Sequence, residues 1–415
     1  MSYPASGMQD SDECSRTGNH DTIAAQHAPE GEQPMNGHKD DALLPAVFHY
    51  HPIETDPDSR FANENRKFQG IPAIEKTPGG WFYTAFYGGM TCEESGNYVA
   101  VLRSRDPREH FGQPWLVVEA PTPECRTFDP CLWLDPLGRL WLFYAQSYTY
   151  IDGRLGVWAA VCTEPDADDP RFTAPRRIAN GVMMNKPTCL SSGEWLLCCA
   201  IWCDELSGLN ELPEERFSNV YCSADNGETF TRIGYTDYAD RSTDEPMIVE
   251  KQDGQLWMLI RGKHGIGQGF SDDKGYTWHD IGFSSIDNPC SRFHIRRLKS
   301  GKLLLINHKN FRGQDAEAVV VGNGRNNLTA MLSADDGRTW SDGILLDERN
   351  DISYPDAAID ETGRIWIVYD RERYCAREIL MASVTEEDIL AGMIVSEGSF
   401  LKQVIGTGAQ KQFVQ

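Results

Sequence analysis

One eight-residue pattern constrains this chain more than any other. Ser333-Ala334-Asp335-Asp336-Gly337-Arg338-Thr339-Trp340 reads Ser-x-Asp-x-Gly-x-Thr-Trp. Ser271-Asp272-Asp273-Lys274-Gly275-Tyr276-Thr277-Trp278 repeats it, and Ser223-Ala224-Asp225-Asn226-Gly227-Glu228-Thr229-Phe230 repeats it with a closing Phe. The first Ser residues lie 48 and 62 residues apart. Each copy has hairpin-turn chemistry: Ser and Asp side chains bond their own backbone, Gly supplies positive φ, and the aromatic returns the chain to a packed surface. A fainter trace sits at Ser104-Arg105-Asp106, with Trp115 beyond it. A supersecondary unit recurring at this period predicts a propeller or a solenoid.

A second pattern runs between these turns. Pro opens a short apolar strand, and a Gly turn leads to a second, more apolar one: Pro72/Gly80, Pro130/Gly138, Pro187/Gly193, Pro246/Gly254 and Pro355/Gly363. A further unit has Phe293 in place of Pro, with Gly301. The second strands are near-continuous apolar runs, such as Arg139–Ala145 and Arg364–Tyr369, as expected of strands covered on both faces. Six such units, each with room for four strands, predict an all-β fold, a six-bladed β-propeller over residues 42–405. No capping repeat of an open solenoid is visible. Leu43–Ile53 is expected to add an outer strand to the last blade and close the ring. Thr385-Glu386-Glu387-Asp388 has the form of a capping box before a short helix. Cys203–Asn219 is expected to be a rim insertion.

The flanks differ from this core. Residues 1–41 carry eight acidic and two basic side chains and almost no large apolar ones, so a disordered tail is expected there. His20, His27 and His38 are too irregularly spaced for a metal site. Residues 406–415 form a C-terminal tail. The net charge, 39 − 62 = −23, argues against nucleic acid or anionic membrane as a partner. It also means that an anionic ligand would need local arginines. No membrane-length apolar run and no basic-then-apolar leader is visible, so a cytoplasmic location is expected. The 12 Cys form no C-x-x-C zinc pattern and are expected to be buried free thiols, with a disulfide framework as the lesser reading. No cofactor is implied. There is no phosphate loop and no Ser-His-Asp arrangement, and Gly265-Ile266-Gly267 reads as a strand turn.

In a propeller the first strands line the central channel and open at one mouth. The residues just before the Pro position are Ile71, Asp129, Lys186, Glu245, Arg292 and Tyr354. Such ionisable groups at the ends of apolar strands must pair or bind something. They form either a ligand site or a plug of structural ion pairs.

Over residues 65 to 384 the sequence resembles the sialidase (exo-α-neuraminidase) superfamily, whose Asp-box or BNR repeat looks like the turns above. Tyr354, with Gly363 nine residues on and Val368-Tyr369-Asp370 after it, is similar to the last-blade motif that carries the nucleophile. Asp244-Glu245, Gly254 and Arg261 resemble the motif with the base and a carboxylate-binding Arg. Arg325, ahead of Leu328-Thr329 and Ser333, matches another such Arg, and Glu94, two before Gly96, stands where the family has its acid/base Asp. One departure is plain: the family opens blade one with Arg-Ile-Pro, and this chain reads Phe68-Gln69-Gly70-Ile71-Pro72. Gln69 or Gly70 stands near the missing Arg, with Arg66, Lys67 or Arg292 as substitutes.

The resemblance implies a retaining exo-glycosidase that hydrolyses a terminal acidic carbohydrate, with Tyr354 attacking, Glu245 as its base and Glu94 moving the leaving-group proton. Arg261 and Arg325 are expected to grip the substrate carboxylate, and Asp129, Lys186, Gln69, Arg292 and His294 to line the site. His308 is a further polar candidate. Two rival readings are a hydrolase or lyase on uronic-acid glycans working through a His, and a non-catalytic carbohydrate-binding propeller.

Overall fold

A computed structural model describes residues 39–152, 154–202, 212–241, 243–311 and 324–410. Most of the expected N-terminal tail, His20, His27 and His38 included, lies outside the described residues, as does most of the Cys203–Asn219 loop. The described part is a six-bladed β-propeller of antiparallel sheets. Blade one comprises Phe68–Lys76, Phe82–Gly89, Tyr98–Ser104 and Leu116–Glu119. Blade six comprises Ile352–Ile359, Ile365–Arg371, Glu378–Val384 and Phe400–Thr407. The second strands fall where the apolar runs predict. Trp195–Ala200 and Leu303–His308, for example, are buried throughout. Cys198 and Cys199 project to opposite faces and join different apolar clusters.

The ring does not close as expected. Val47–Tyr50 pairs with Leu116–Glu119, on the outside of blade one, and not with the last blade. Blade six completes itself with Phe400–Thr407. Lys39–Leu43 is a 3-10 turn with Ala42 buried, so the tail becomes ordered before the expected boundary. The helix Glu386–Ala391 forms as predicted: Thr385 Oγ1 accepts from Asp388 N, and Thr385 N donates to Asp388 Oδ2 at 2.9 Å. Nine described cysteines are free, Cys189 among them exposed, whereas Cys375 is disulfide-bonded, a departure from the expected free thiols. No helix among the described residues is long and apolar enough to cross a membrane.

The repeated octapeptides are identical devices. In each, the Ser hydroxyl donates to the Asp (2.8–2.9 Å) and accepts from the Gly amide (2.8 Å), and the same Asp accepts from the Thr amide and hydroxyl. The Gly also joins blades. A Cβ on Gly337 would lie 2.4 Å from the ring of Trp257 in blade four, and one on Gly227 would lie 2.6 Å from Trp141 in blade two. In these two copies the turn of one blade sits on an indole of the blade before it, whereas Gly275 meets Ile233 and Val220 of blade three.

Gly337→Ala therefore meets both a φ of +83° and the Trp257 ring, while Gly254→Ala meets a φ of +88° and open space. We expect Gly337→Ala to cost about 2 kcal/mol or more and Gly254→Ala about 1 kcal/mol. Urea denaturation checks this; equal losses would show that the indole contact contributes nothing.

Candidate active site

Three first strands share a local distortion. Ile71 (φ 59°), Asp129 (φ 47°) and Tyr354 (φ 56°) are all left-handed, each directly before a Pro. Each lies inside a register shift, between Gly70 and Ala73, Phe128 and Cys131, or Ser353 and Asp356. Left-handed geometry is costly for residues with a Cβ and clusters where the backbone must re-aim a side chain. Two of the three re-aimed residues are Asp129 and Tyr354.

Tyr354 is the centre of a closed triangle. Its hydroxyl donates to Glu245 Oε1 at 2.7 Å; Arg261 Nη1 donates to the same hydroxyl at 2.8 Å and to the same carboxylate oxygen at 2.6 Å. All three residues are buried. Arg325 joins them, its guanidinium 5.4 Å from the Tyr354 ring centre. The Cys290 carbonyl accepts from both Arg261 (3.3 Å) and Arg325 (3.2 Å), fixing the two arginines beside one another. Burial pushes the phenol up; Arg261 opposes this, Glu245 adds to it, and Arg325 and Arg373 oppose it. The hydroxyl therefore keeps its proton at rest. Burial, Arg373 and Arg261 lower Arg325 against the attraction of Tyr354. Glu245 Oε2, Arg261 Nε and Arg325 Nε are buried without a hydrogen-bond partner. This is a buried charged cluster, two guanidiniums to one carboxylate, with unused polar capacity on both signs.

The structure thus brings Tyr354, Glu245, Arg261 and Arg325 together, with Asp129 as a further electrostatic neighbour of Glu245. It separates several other candidates. Lys186 pairs with Glu75 (2.9 Å) and Asp356 (3.1 Å) and donates to the carbonyls of Ile74 and Leu132, both at 2.6 Å. Arg292 binds Asn185 Oδ1 (2.7 Å) and the Met184 carbonyl (2.9 Å), and His294 Nδ1 lies 3.3 Å from Asp356. These three gather round Asp356 and the carbonyls of neighbouring strands as a channel plug, and not beside Tyr354 as expected, with His294 Nε2 left without a hydrogen-bond partner. Burial alone would raise Asp356; Lys186, His294 and Arg292 outweigh it and hold the carboxylate well below its ordinary range. His308 bonds the Asn326 carbonyl at 2.8 Å, and burial pushes it down to about 4. Gln69, expected to line the site, accepts from Arg66 Nε at 2.6 Å and donates to the Arg377 carbonyl at 2.5 Å, so both ends of its amide are engaged with neighbours other than Tyr354. Arg66 is held by Asn63 and Phe61 as well.

Two further residues have no counterpart among the sequence expectations. Arg373 lays its guanidinium 4.3 Å from the Tyr354 ring centre, held by Asp370 (2.8 Å) and Ser353 (3.1 Å). Glu93, the neighbour of the expected Glu94, stands 3.6 Å from Arg373, whereas Glu94 turns back to the Cys92 amide at 3.4 Å. The loop carboxylate that faces the site is thus Glu93. Arg373 is one of several arginines in its stretch, and only the pairing of Ser353 with Asp370 ties it to Tyr354.

The chain matches the family model of the BNR repeat-like domain over residues 81–367. That is more than half of its length, and the chain belongs to this family. No curated protein sequence matches it. Among solved structures it is similar to the Hadza microbial sialidase Hz136 (17% identity, 78% of this chain and 67% of that one, TM-score 0.58). It is also similar to the leech intramolecular trans-sialidase complexed with 2,7-anhydro-Neu5Ac (12% identity, 80% and 70% covered, TM-score 0.58). A third is the intramolecular trans-sialidase of Ruminococcus gnavus in complex with oseltamivir carboxylate (12% identity, 80% and 97% covered, TM-score 0.56). At these identities the likeness is one of fold alone.

Burial raises the Asp129 carboxyl to about 8, with Glu93 and Glu245 adding and Arg126 and Arg373 opposing. An unfolded Asp ionises near pH 4, so between about pH 4 and 8 the folded chain holds a proton that the unfolded chain has lost, and stability falls as pH rises. Asn accepts the left-handed φ and cannot ionise. The stability of Asp129→Asn relative to wild type should therefore climb from pH 5 to pH 8, by at most about 1.4 kcal/mol per unit. A pH-independent difference in urea denaturation would refute this assignment.

Proposed function

We propose that this propeller is a retaining exo-glycosidase acting on a terminal sugar whose anomeric carbon carries a carboxylate, such as a sialic acid. The observation that carries this reading is the Tyr354–Glu245–Arg261 triangle, buried beside Arg325. A tyrosine nucleophile is a recorded exception to the paired-carboxylate scheme of glycosidases. It suits this substrate because a carboxylate nucleophile would be repelled by the one on the reacting carbon. The Tyr354 oxygen attacks the anomeric carbon while its proton passes to Glu245. The glycosidic C–O bond breaks, and the leaving oxygen takes a proton from an acid on the Thr91–Asn97 loop. Water then attacks the glycosyl–tyrosine bond, giving its proton to the loop carboxylate, and the phenol recovers its own from Glu245. Arg261 and Arg325 hold the substrate carboxylate through charge-assisted bonds. The histidine reading is the weaker one, since His294 and His308 are held through Nδ1 by Asp356 and the Asn326 carbonyl and neither bonds the Tyr354 hydroxyl.

Hydrolysis of a fluorogenic α-sialoside tests this directly. Wild type should turn over with the α-anomer as first product, and Tyr354→Phe and Glu245→Gln should each lose about 10³-fold in kcat, within the range for nucleophile and base removal. Binding without turnover, unchanged in Tyr354→Phe, would instead establish a carbohydrate-binding propeller.

Glu93 and Glu94 are separable. The proton donor matters for a poor leaving group and little for an activated aryl one. Glu93→Gln should lose about 10²-fold on a natural alkyl glycoside and little on the aryl glycoside, and Glu94→Gln should lose less on both. The reverse order would return the role to Glu94.

A further inference from the structure

The space over Gly70 is filled by another residue. A Cβ there would lie 2.7 Å from Arg373 Cδ and Nε and 2.8 Å from Cγ. Gly70 has no left-handed φ, so nothing in its backbone conformation calls for glycine; the demand is for room. Arg373, from the turn after the second strand of blade six, crosses this bare backbone and brings its guanidinium over the Tyr354 ring. Three contacts hold it there. Nε donates to Asp370 Oδ2 (2.8 Å), Nη2 donates to Ser353 Oγ (3.1 Å), and the Arg373 carbonyl accepts from Gln69 N (3.2 Å). Asp370 also accepts from Ile71 N at 2.7 Å, so one carboxylate fixes both the arginine and the strand it crosses. Nη1 is left 3.6 Å from Glu93.

The electrostatics agree with this placement. Burial alone would lower Arg373, but Asp370, Tyr354, Glu93 and Tyr87 hold it firmly charged. Arg261, Arg325 and Arg373 all act on the one phenol. Three cations gathered round one tyrosine repel one another and gain most from an anion set between them.

We propose that Gly70 and Arg373 form a reciprocal pair in which blade six supplies the guanidinium that blade one lacks, so that Arg373 is the third group to grip the substrate carboxylate. This rests on the reading of the site under Proposed function. It assigns carboxylate recognition to a residue that no sequence motif marks, and it explains why Arg66, Lys67 and Arg292 are not needed for it.

The test is calorimetric binding of 2-deoxy-2,3-didehydro-N-acetylneuraminic acid and of its methyl ester. Wild type should prefer the acid. Arg373→Ala should lose about 10- to 100-fold in affinity for the acid, the worth of a charged hydrogen-bonded contact, with affinity for the ester nearly unchanged. Arg373→Lys should fall between. Gly70→Arg should bind poorly, because two guanidinium side chains then compete for one space, and the exchange variant Gly70→Arg/Arg373→Gly should recover much of the acid preference. That exchange keeps the test decisive should Arg373→Ala fold poorly. A full acid preference in Arg373→Ala, or no recovery in a folded exchange variant, overturns this inference and leaves Proposed function standing. A wild type that does not prefer the acid overturns both.

Discussion

A phenol, a carboxylate and a guanidinium, each within hydrogen-bond reach of the other two, hold the mouth of this propeller together. Arg261 and Glu245 are almost fully removed from water, their side chains 3% and 1% exposed. Ions taken that far from solvent are tolerated only when their partners are in place, and loss of one partner strands the other. Glu245 comes from blade four and Tyr354 from blade six, so the triangle can form only if the ring holds its diameter. The Cys290 carbonyl passes the constraint on to Arg325. The pocket is thus rigid before any ligand arrives, and its positive charge is placed in advance, which is the condition for electrostatic preorganisation.

Much of this was legible in the chain. The Ser-x-Asp-x-Gly turns depend on side chains bonding their own backbone, and a local device can be read from local sequence. Tyr354 and Glu245 stand in the row of residues before the Pro position, whereas Arg261 and Arg325, and the roles of all four, are implied by the resemblance to sialidases. The ring of residues before Pro was a weaker guide. It placed Lys186 and Arg292 beside Tyr354, yet the structure sends them into the channel plug around Asp356. The difference lies in the backbone. Ile71, Asp129 and Tyr354 sit in bulges with left-handed φ, and residues before Pro in the other blades do not. No residue preference announces a bulge of that kind, since Ile and Tyr are poor candidates for it. Arg373 was invisible for another reason. Its role depends on a neighbour that lacks a side chain, and Gly70 is some 300 residues away in sequence.

The seam between blades one and six repeats this logic on a larger scale. The chain does not lace its ends into one sheet; blade six is continuous in sequence and the N-terminal strand lies outside blade one. Side chains and isolated backbone bonds must then hold the ring shut. Lys76 pairs with Asp360 at 2.7 Å, Ile74 N donates to Asp356, Phe82 packs edge-on against Trp366, and the Ile405 carbonyl accepts from Phe111 N at 2.7 Å. A shared apolar cluster runs beneath them, from Ile74 and Phe86 to Val368 and Met381.

That seam is also where the candidate site is built. Asp370 receives the Ile71 amide across it and anchors Arg373 on the same side. Asp356 receives the Ile74 amide across it and neutralises the plug below. Two carboxylates on adjacent strands of blade six, Asp356 on the first and Asp370 on the second, therefore close the ring and organise the charge of the candidate site together. Ring closure and the arrangement of the candidate site share these atoms, so the seam cannot loosen without the site losing its geometry. A propeller laced by strand exchange would be free to vary residues at this junction; here the junction must keep its carboxylates, and blade one must keep a glycine opposite Arg373.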